Sequence, residues 1–190
     1  MIRRNRIQTL RRPPVRLLHI SFDPHLDQWL NPLLPASDDQ GETPEYPEPE
    51  IPRVAFAPTL EQCFRAVYPN VSHLFDVKRF PYMQFHVYEG LPNGSQRFVT
   101  PEVATECRWI WDAHVTEEYF SLDAIEVEAI AKVQFFRPKT DELRTTHPFD
   151  DKSLPVRSVG PESIHYKVTD QTHTGSRRLE SLVGSRSWLD

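Results

Sequence analysis

The sequence predicts an α+β fold of short strands and few helices, on three observations. First, Ile125, Val127, Ala129, Ala131, Val133 and Phe135 share one parity while Glu126, Glu128, Lys132 and Gln134 share the other, the period-two pattern of a long half-exposed strand. Second, Leu60, Cys63, Phe64 and Val67 recur at helical spacing behind Thr59 and Gln62, which have the spacing of a capping box. Third, the chain shows no internal repeat and no Gly-rich phosphate loop. Its 6 glycines in 190 residues argue against nucleotide binding through a Walker or Rossmann turn.

The elements follow in order. Residues 1–14 form a basic arm. Arg3, Arg4, Arg6, Arg11 and Arg12 lie in it, Arg16 follows just after, and no acid interrupts them before Pro13-Pro14 and beyond. The arm is expected to be exposed and to suit an acidic partner. "VRLLHISFD", Val15 to Asp23, then reads as a short apolar strand ending on His19 and Ser21. Residues 34–52 hold six acids and five prolines, a composition that neither packs nor pairs, and so predict a surface loop. "IPRVAFAP" is a brief strand stopped by Pro58. The capped helix follows and is expected to end near Tyr68-Pro69-Asn70.

"QFHVYE", 84–89, alternates as a strand, with a turn at Asn93-Gly94. Residues 101–114 fit either a short helix or an irregular aromatic loop, with Trp109 and Trp111 as core or loop anchors. A long strand is expected from Glu118 onward, closed by Pro138, and "SIHYKV", 163–168, is the last strand before a polar tail from Thr169. The organisation is therefore the arm, a core over 15–138 and an extension over 139–190.

Bulk properties narrow the function. A chain of 190 residues is most economically one compact unit, and a net charge of -5 argues against an overall nucleic-acid or polyanion binder, although the charge distribution matters more than the sum. Cys63 and Cys107 lack the spacing of a metal site or a disulfide framework. They are expected to be buried in a protein of a reducing, cytoplasmic compartment. No apolar run is long enough to span a membrane, and no Ser/His/Asp elbow or cysteine nucleophile motif is present.

Three segments taken together carry more than each alone. "LLHIS", "VAFAP" running into a capped helix, and "EEYFSLDAIEVEAIAKVQF" resemble, in order and type, the ADP-ribosyltransferase family. In its poly(ADP-ribose) polymerase-like branch the matching elements are an H-G-S strand, a Y-F-A strand leading into a helix, and an N-E-Y strand. The resemblance covers about residues 15 to 137 and implies an ADP-ribosyltransferase-like split antiparallel sheet core, with NAD as substrate and an unassigned acceptor: protein, nucleic acid, small molecule or water. It implies that His19 bonds the adenosine-side ribose beside Ser21, and that Glu118 is the catalytic glutamate.

That chemistry needs a carboxylate, because breaking the nicotinamide–ribose bond develops oxocarbenium charge. Glu117 is expected on the opposite face of the same strand. The sequence departs from the family where many relatives stack a tyrosine on nicotinamide: Ala55 stands there, with Phe56 on the other face and Tyr119, Phe22 or Tyr68 as alternative aromatics. His114 lies close enough in sequence to reach the cleft edge. Two other readings accompany this one. One is an inactive member that binds a nucleotide or protein partner, such as a phage or mobile-element accessory factor. The other is RNA 2'-phosphate transfer, which the arginine-poor core disfavours.

Overall fold

The structure, a computed structural model, describes residues 7–26, 28–35, 50–107, 109–110, 113–138, 144–145, 156–157 and 164–171. It is an α+β fold with two antiparallel sheets and few helices. The larger sheet orders β1 (Leu18–Ser21), β4 (Tyr82–Gly90), β7 (Ile125–Phe136) and β10 (His165–Gln171), with β2 (Trp29–Leu30) on the far end of β7. The smaller orders β3 (Val54–Phe56), β6 (Tyr119–Ser121) and β5 (Phe98–Val99). A two-residue pair, β8 (Arg144–Thr145) and β9 (Val156–Arg157), stands apart. Leu18 and Ala57 exchange backbone bonds of 2.8 and 2.9 Å, which links β1 to the end of β3. Among the described residues no helix is long and apolar enough to cross a membrane.

The main helix, α1 (Leu60–Asp76), starts where Thr59 predicts. The Thr59 hydroxyl accepts from Gln62 N at 3.2 Å and donates to Gln62 Oε1 at 2.8 Å. It does not end at Pro69. Proline removes a ladder bond and strains a helix interior by about 3 kcal/mol. Beyond it, however, Val71 and Phe75 are buried and Leu74 packs against the same core, and each such burial returns about 1.5–3 kcal/mol. Tertiary burial therefore carries the helix past the proline. Phe64 anchors it, stacked on Phe135 at 4.2 Å and 9°. Two short helices, α2 (Pro101–Glu106) and α3 (Ala113–Thr116), bracket the buried Trp109, so the 101–114 segment is part helix and part loop; Trp111 lies outside the described residues.

β7 corrects the single-parity reading. Val87 pairs with Ala131 but Tyr88 pairs with Ala129, so Ile130 is an extra residue, a β-bulge. Ile125 and Val127 join the core between the sheets, whereas Ile130, Ala131, Val133 and Phe135 join the core under α1. Ala129, expected inside, is exposed, and Ile130 is fully buried. The strand expected from Glu118 also divides, since β6 and β7 belong to different sheets and Ser-Leu-Asp-Ala turns between them.

Three other expectations change. Cys63 is buried, but Cys107 caps α2 and is exposed. The basic arm is not wholly free: Leu10 and Phe98 bond reciprocally at 2.9 and 2.8 Å, Arg11 donates to the Ser95 carbonyl, and Ile7 packs against the Trp109 cluster. Just beyond it, Arg16 grips Glu89 through two bonds of 3.1 and 3.0 Å. The last strand runs on through Thr169 to Gln171. Residues 1–6, most of the acidic loop (36–49) and the tail beyond 171 lie outside the described residues.

Candidate functional site

A small cavity of about 70 Å³ opens where β1, β3 and α1 meet the corner between α3 and β6. His19, Ala55, Phe56 and Glu118 all line it, so the three sequence segments converge there. On β1, Leu18 and Ile20 turn into the α1 core and His19 alternates with them, and all three border the cavity at this edge strand.

His19 Nδ1 lies 3.0 Å from the Ala55 carbonyl. A carbonyl only accepts, so the neutral ring carries its proton on Nδ1 and leaves Nε2 as an acceptor. Burial pushes the His19 pKa below the usual imidazole value, and the Ala55 bond offsets part of that. The ring also meets Phe56, with centroids 5.9 Å apart. Phe56 belongs to the core between the sheets yet still reaches the cavity wall, which strict strand alternation did not anticipate.

Glu118 is not on a strand. α3 ends with Glu117 in the left-handed region (φ 52), and Glu118 N donates back to the Ala113 carbonyl at 3.1 Å, the long bond of a Schellman-type cap. Glu117 and Glu118 are therefore separated by a turn rather than by pleating. A left-handed glutamate costs about 1–2 kcal/mol, so this corner is held by its surroundings. Arg65 contributes, donating from Nη1 to the Val115 carbonyl at 3.2 Å. The Glu118 carboxylate is buried (9% exposed), and Oε2 accepts from the Thr116 hydroxyl at 2.8 Å.

Other candidates fall elsewhere. Ser21 shares β1 with His19 but does not line the cavity; its hydroxyl accepts from Asp23 N at 3.1 Å. Tyr119 pairs in register with Phe56 and packs against the inter-sheet core, away from the lining. Phe22 stacks on Phe85 at 4.3 Å, and Tyr68 is buried under α1. His114 is exposed and bonds Thr105.

The wall that sequence reasoning missed is the α1 face of Cys63, Ala66 and Val67, whose i, i+3, i+4 spacing carried the signal. The Cys63 thiol contacts the Leu18 carbonyl at 3.4 Å. Burial pushes its pKa far up, the Ala57 backbone offsets this in part, and the charges of Glu118 and Glu61 push it further, so it stays a thiol. Among the described residues no group of three or more His, Cys, Asp and Glu is placed to hold a metal ion.

Fold and cavity together define an α+β protein with a carboxylate and an imidazole acceptor on one apolar cleft, an arrangement suited to gripping hydroxyl groups. No family model, curated protein or solved structure matches this chain.

Proposed function

We propose that this chain is an ADP-ribosyltransferase-like protein that takes the ribose and nicotinamide end of NAD at the His19–Glu118 cleft and passes ADP-ribose to an acceptor. The observation that carries the reading is that His19 and Glu118, far apart in sequence, line one cavity with Ala55 and Phe56. The Glu118 carboxylate bonds a ribose hydroxyl and stabilises the positive charge that grows as the carbon–nitrogen bond breaks. Nicotinamide leaves with the bonding electron pair, and the acceptor's lone pair forms the new bond to the ribose carbon. His19 Nε2 accepts from a hydroxyl of the second ribose. A cavity of about 70 Å³ holds the edge of one ring, so the remainder of the dinucleotide lies across its mouth.

Incubation with labelled NAD tests this. The wild type is expected to transfer label or release nicotinamide, and Glu118→Gln to lose about a hundredfold or more, the usual cost of an electrostatic group at the reacting centre. A folded wild type showing neither product overturns the catalytic reading.

The small cavity, and Ala55 where relatives carry a stacking tyrosine, favour a second reading: the cleft binds a nucleotide without turning it over. Stacking contributes on the order of 1 kcal/mol, so its loss weakens binding without abolishing it. A ligand at about a hundred times Kd adds roughly 2.7 kcal/mol of stability. A thermal shift with NAD but no product identifies this second case, and no shift excludes both.

A further inference from the structure

The larger sheet has one face under α1. Its opposite face, over the lower halves of β4, β7 and β10, is lined by exposed and half-buried side chains. Register places Tyr82 beside Phe136 at the end of this face. The next row sets Gln84 beside Gln134 and Lys167, and the one after sets His86 beside Lys132. Each alternates along its strand with a residue of the α1 core, so the pleat fixes them all outward. The two rings keep much of their surface in solvent, 42% for Tyr82 and 36% for Phe136, with centroids 6.1 Å apart at 59°.

We infer that this face binds single-stranded nucleic acid. Exposed rings, amide side chains and the exposed Lys167 cation match what unpaired bases and phosphates require: stacking, edge-directed hydrogen bonds and charge. Tyr82 to His86 spans about 14 Å at 3.4 Å per residue, the scale on which a four-stranded sheet stacks two or three bases.

Charge distribution supports the choice within a chain of net charge -5. Two carboxylates near the face are neutralised by ion pairs, Asp170 with Lys132 at 3.2 Å and Asp76 with Arg137 at 2.7 Å. Lys167 is an exposed cation on the face. Lys78 and Arg79 are exposed in the loop entering Tyr82, where Arg79 adopts a left-handed backbone (φ 55). The amide row between rings and cations favours bases over lipid chains, which make no use of it.

The test is fluorescence anisotropy with the full chain and labelled strands of about 12 nucleotides: single-stranded RNA, the same sequence as DNA, and a duplex. The expected result is single-strand binding that weakens steeply between about 50 and 200 mM salt. The Tyr82→Ala/Phe136→Ala variant should bind about tenfold or more weakly while still unfolding in a single cooperative thermal transition. Lys167→Gln should lower the salt slope by about one. Tighter binding of RNA than DNA assigns a contact to the 2'-hydroxyl, and equal binding assigns a strand-tolerant platform. Absent binding, a duplex bound as tightly, an unaffected double variant, or capture by anionic phosphatidylserine vesicles without strand binding would each overturn the inference. NAD takes no part in the readout, so the result is independent of the cleft.

Discussion

Replacing Thr116 with valine removes one oxygen from a buried hydrogen bond. Thr116 is 2% exposed, and its hydroxyl lies 2.8 Å from Glu118 Oε2 and 3.4 Å from the Ala113 carbonyl. A hydroxyl has a single proton, and the shorter bond, to the carboxylate, takes it. Hydrogen bonds to charged groups contribute about 1.5–3 kcal/mol, and the buried carboxylate loses one. With a urea m-value of about 2 kcal/mol/M, Thr116→Val should lower the denaturation midpoint by about 1 M. The diagnostic step is to repeat the substitution in a Glu118→Gln background. An amide oxygen still accepts from Thr116, but a neutral bond is about half as strong, so the cost of removing the hydroxyl should fall by roughly half. A cost below about 0.5 kcal/mol in the wild-type background, or an equal cost in both backgrounds, would refute the reasoning that the Thr116 hydroxyl holds the Glu118 carboxylate.

Two further outcomes follow from the packing around the cleft. His19 has a lowered pKa in the folded state, so below its unfolded value of about 6.5 the unfolded chain binds the extra proton. The stability that the wild type gains from His19 over His19→Gln is therefore complete above that pH. It should shrink on acidification by up to about 1.4 kcal/mol per pH unit, measured by urea titration from pH 8 to 5; a pH-independent difference contradicts the half-buried neutral imidazole. At Gly90, an added Cβ would lie 3.0 Å from Phe56 Cε1, 3.2 Å from Ile125 Cδ1 and 3.3 Å from Leu17 Cβ. Gly90→Ala should cost about 1–3 kcal/mol in thermal denaturation by overpacking the core between the sheets, and a neutral effect would show that this core yields.

Local chemistry was legible where it acts alone. Thr59 and Gln62 announce the start of α1, and the alternation of "QFHVYE" places β4, because neither depends on distant residues. What the sequence hid depends on partners far along the chain. Nothing near Pro69 announces that Val71 and Phe75 will find a core worth continuing the helix for. Ile130 looks like one more apolar residue until β4 is laid beside it and one position has no partner. At the site, His19 and Glu118 were readable as residue types in order, but the Thr116–Glu118 bond and the left-handed Glu117 were not, since they arise from a helix of four residues with no periodic signature. Of the α1 wall, Cys63 and Val67 were present as helical spacing and were read only as core, and Ala66 beside them was not singled out.

The bulge at Ile130 governs how much change in length this chain tolerates. On its N-terminal side, Ile125 and Val127 point toward the smaller sheet; on its C-terminal side, Val133 and Phe135 point toward α1. One strand thus faces two interiors, and a single surplus residue acts as the half-turn between them. Losing that residue would keep every other side chain and nearly all the backbone pairing, yet it would turn one half of the strand inside out. The constraint on β7 is therefore a matter of counting more than of composition: substitutions on its solvent side are cheap, while a one-residue deletion anywhere between the two halves would exchange the interior of one for the surface of the other.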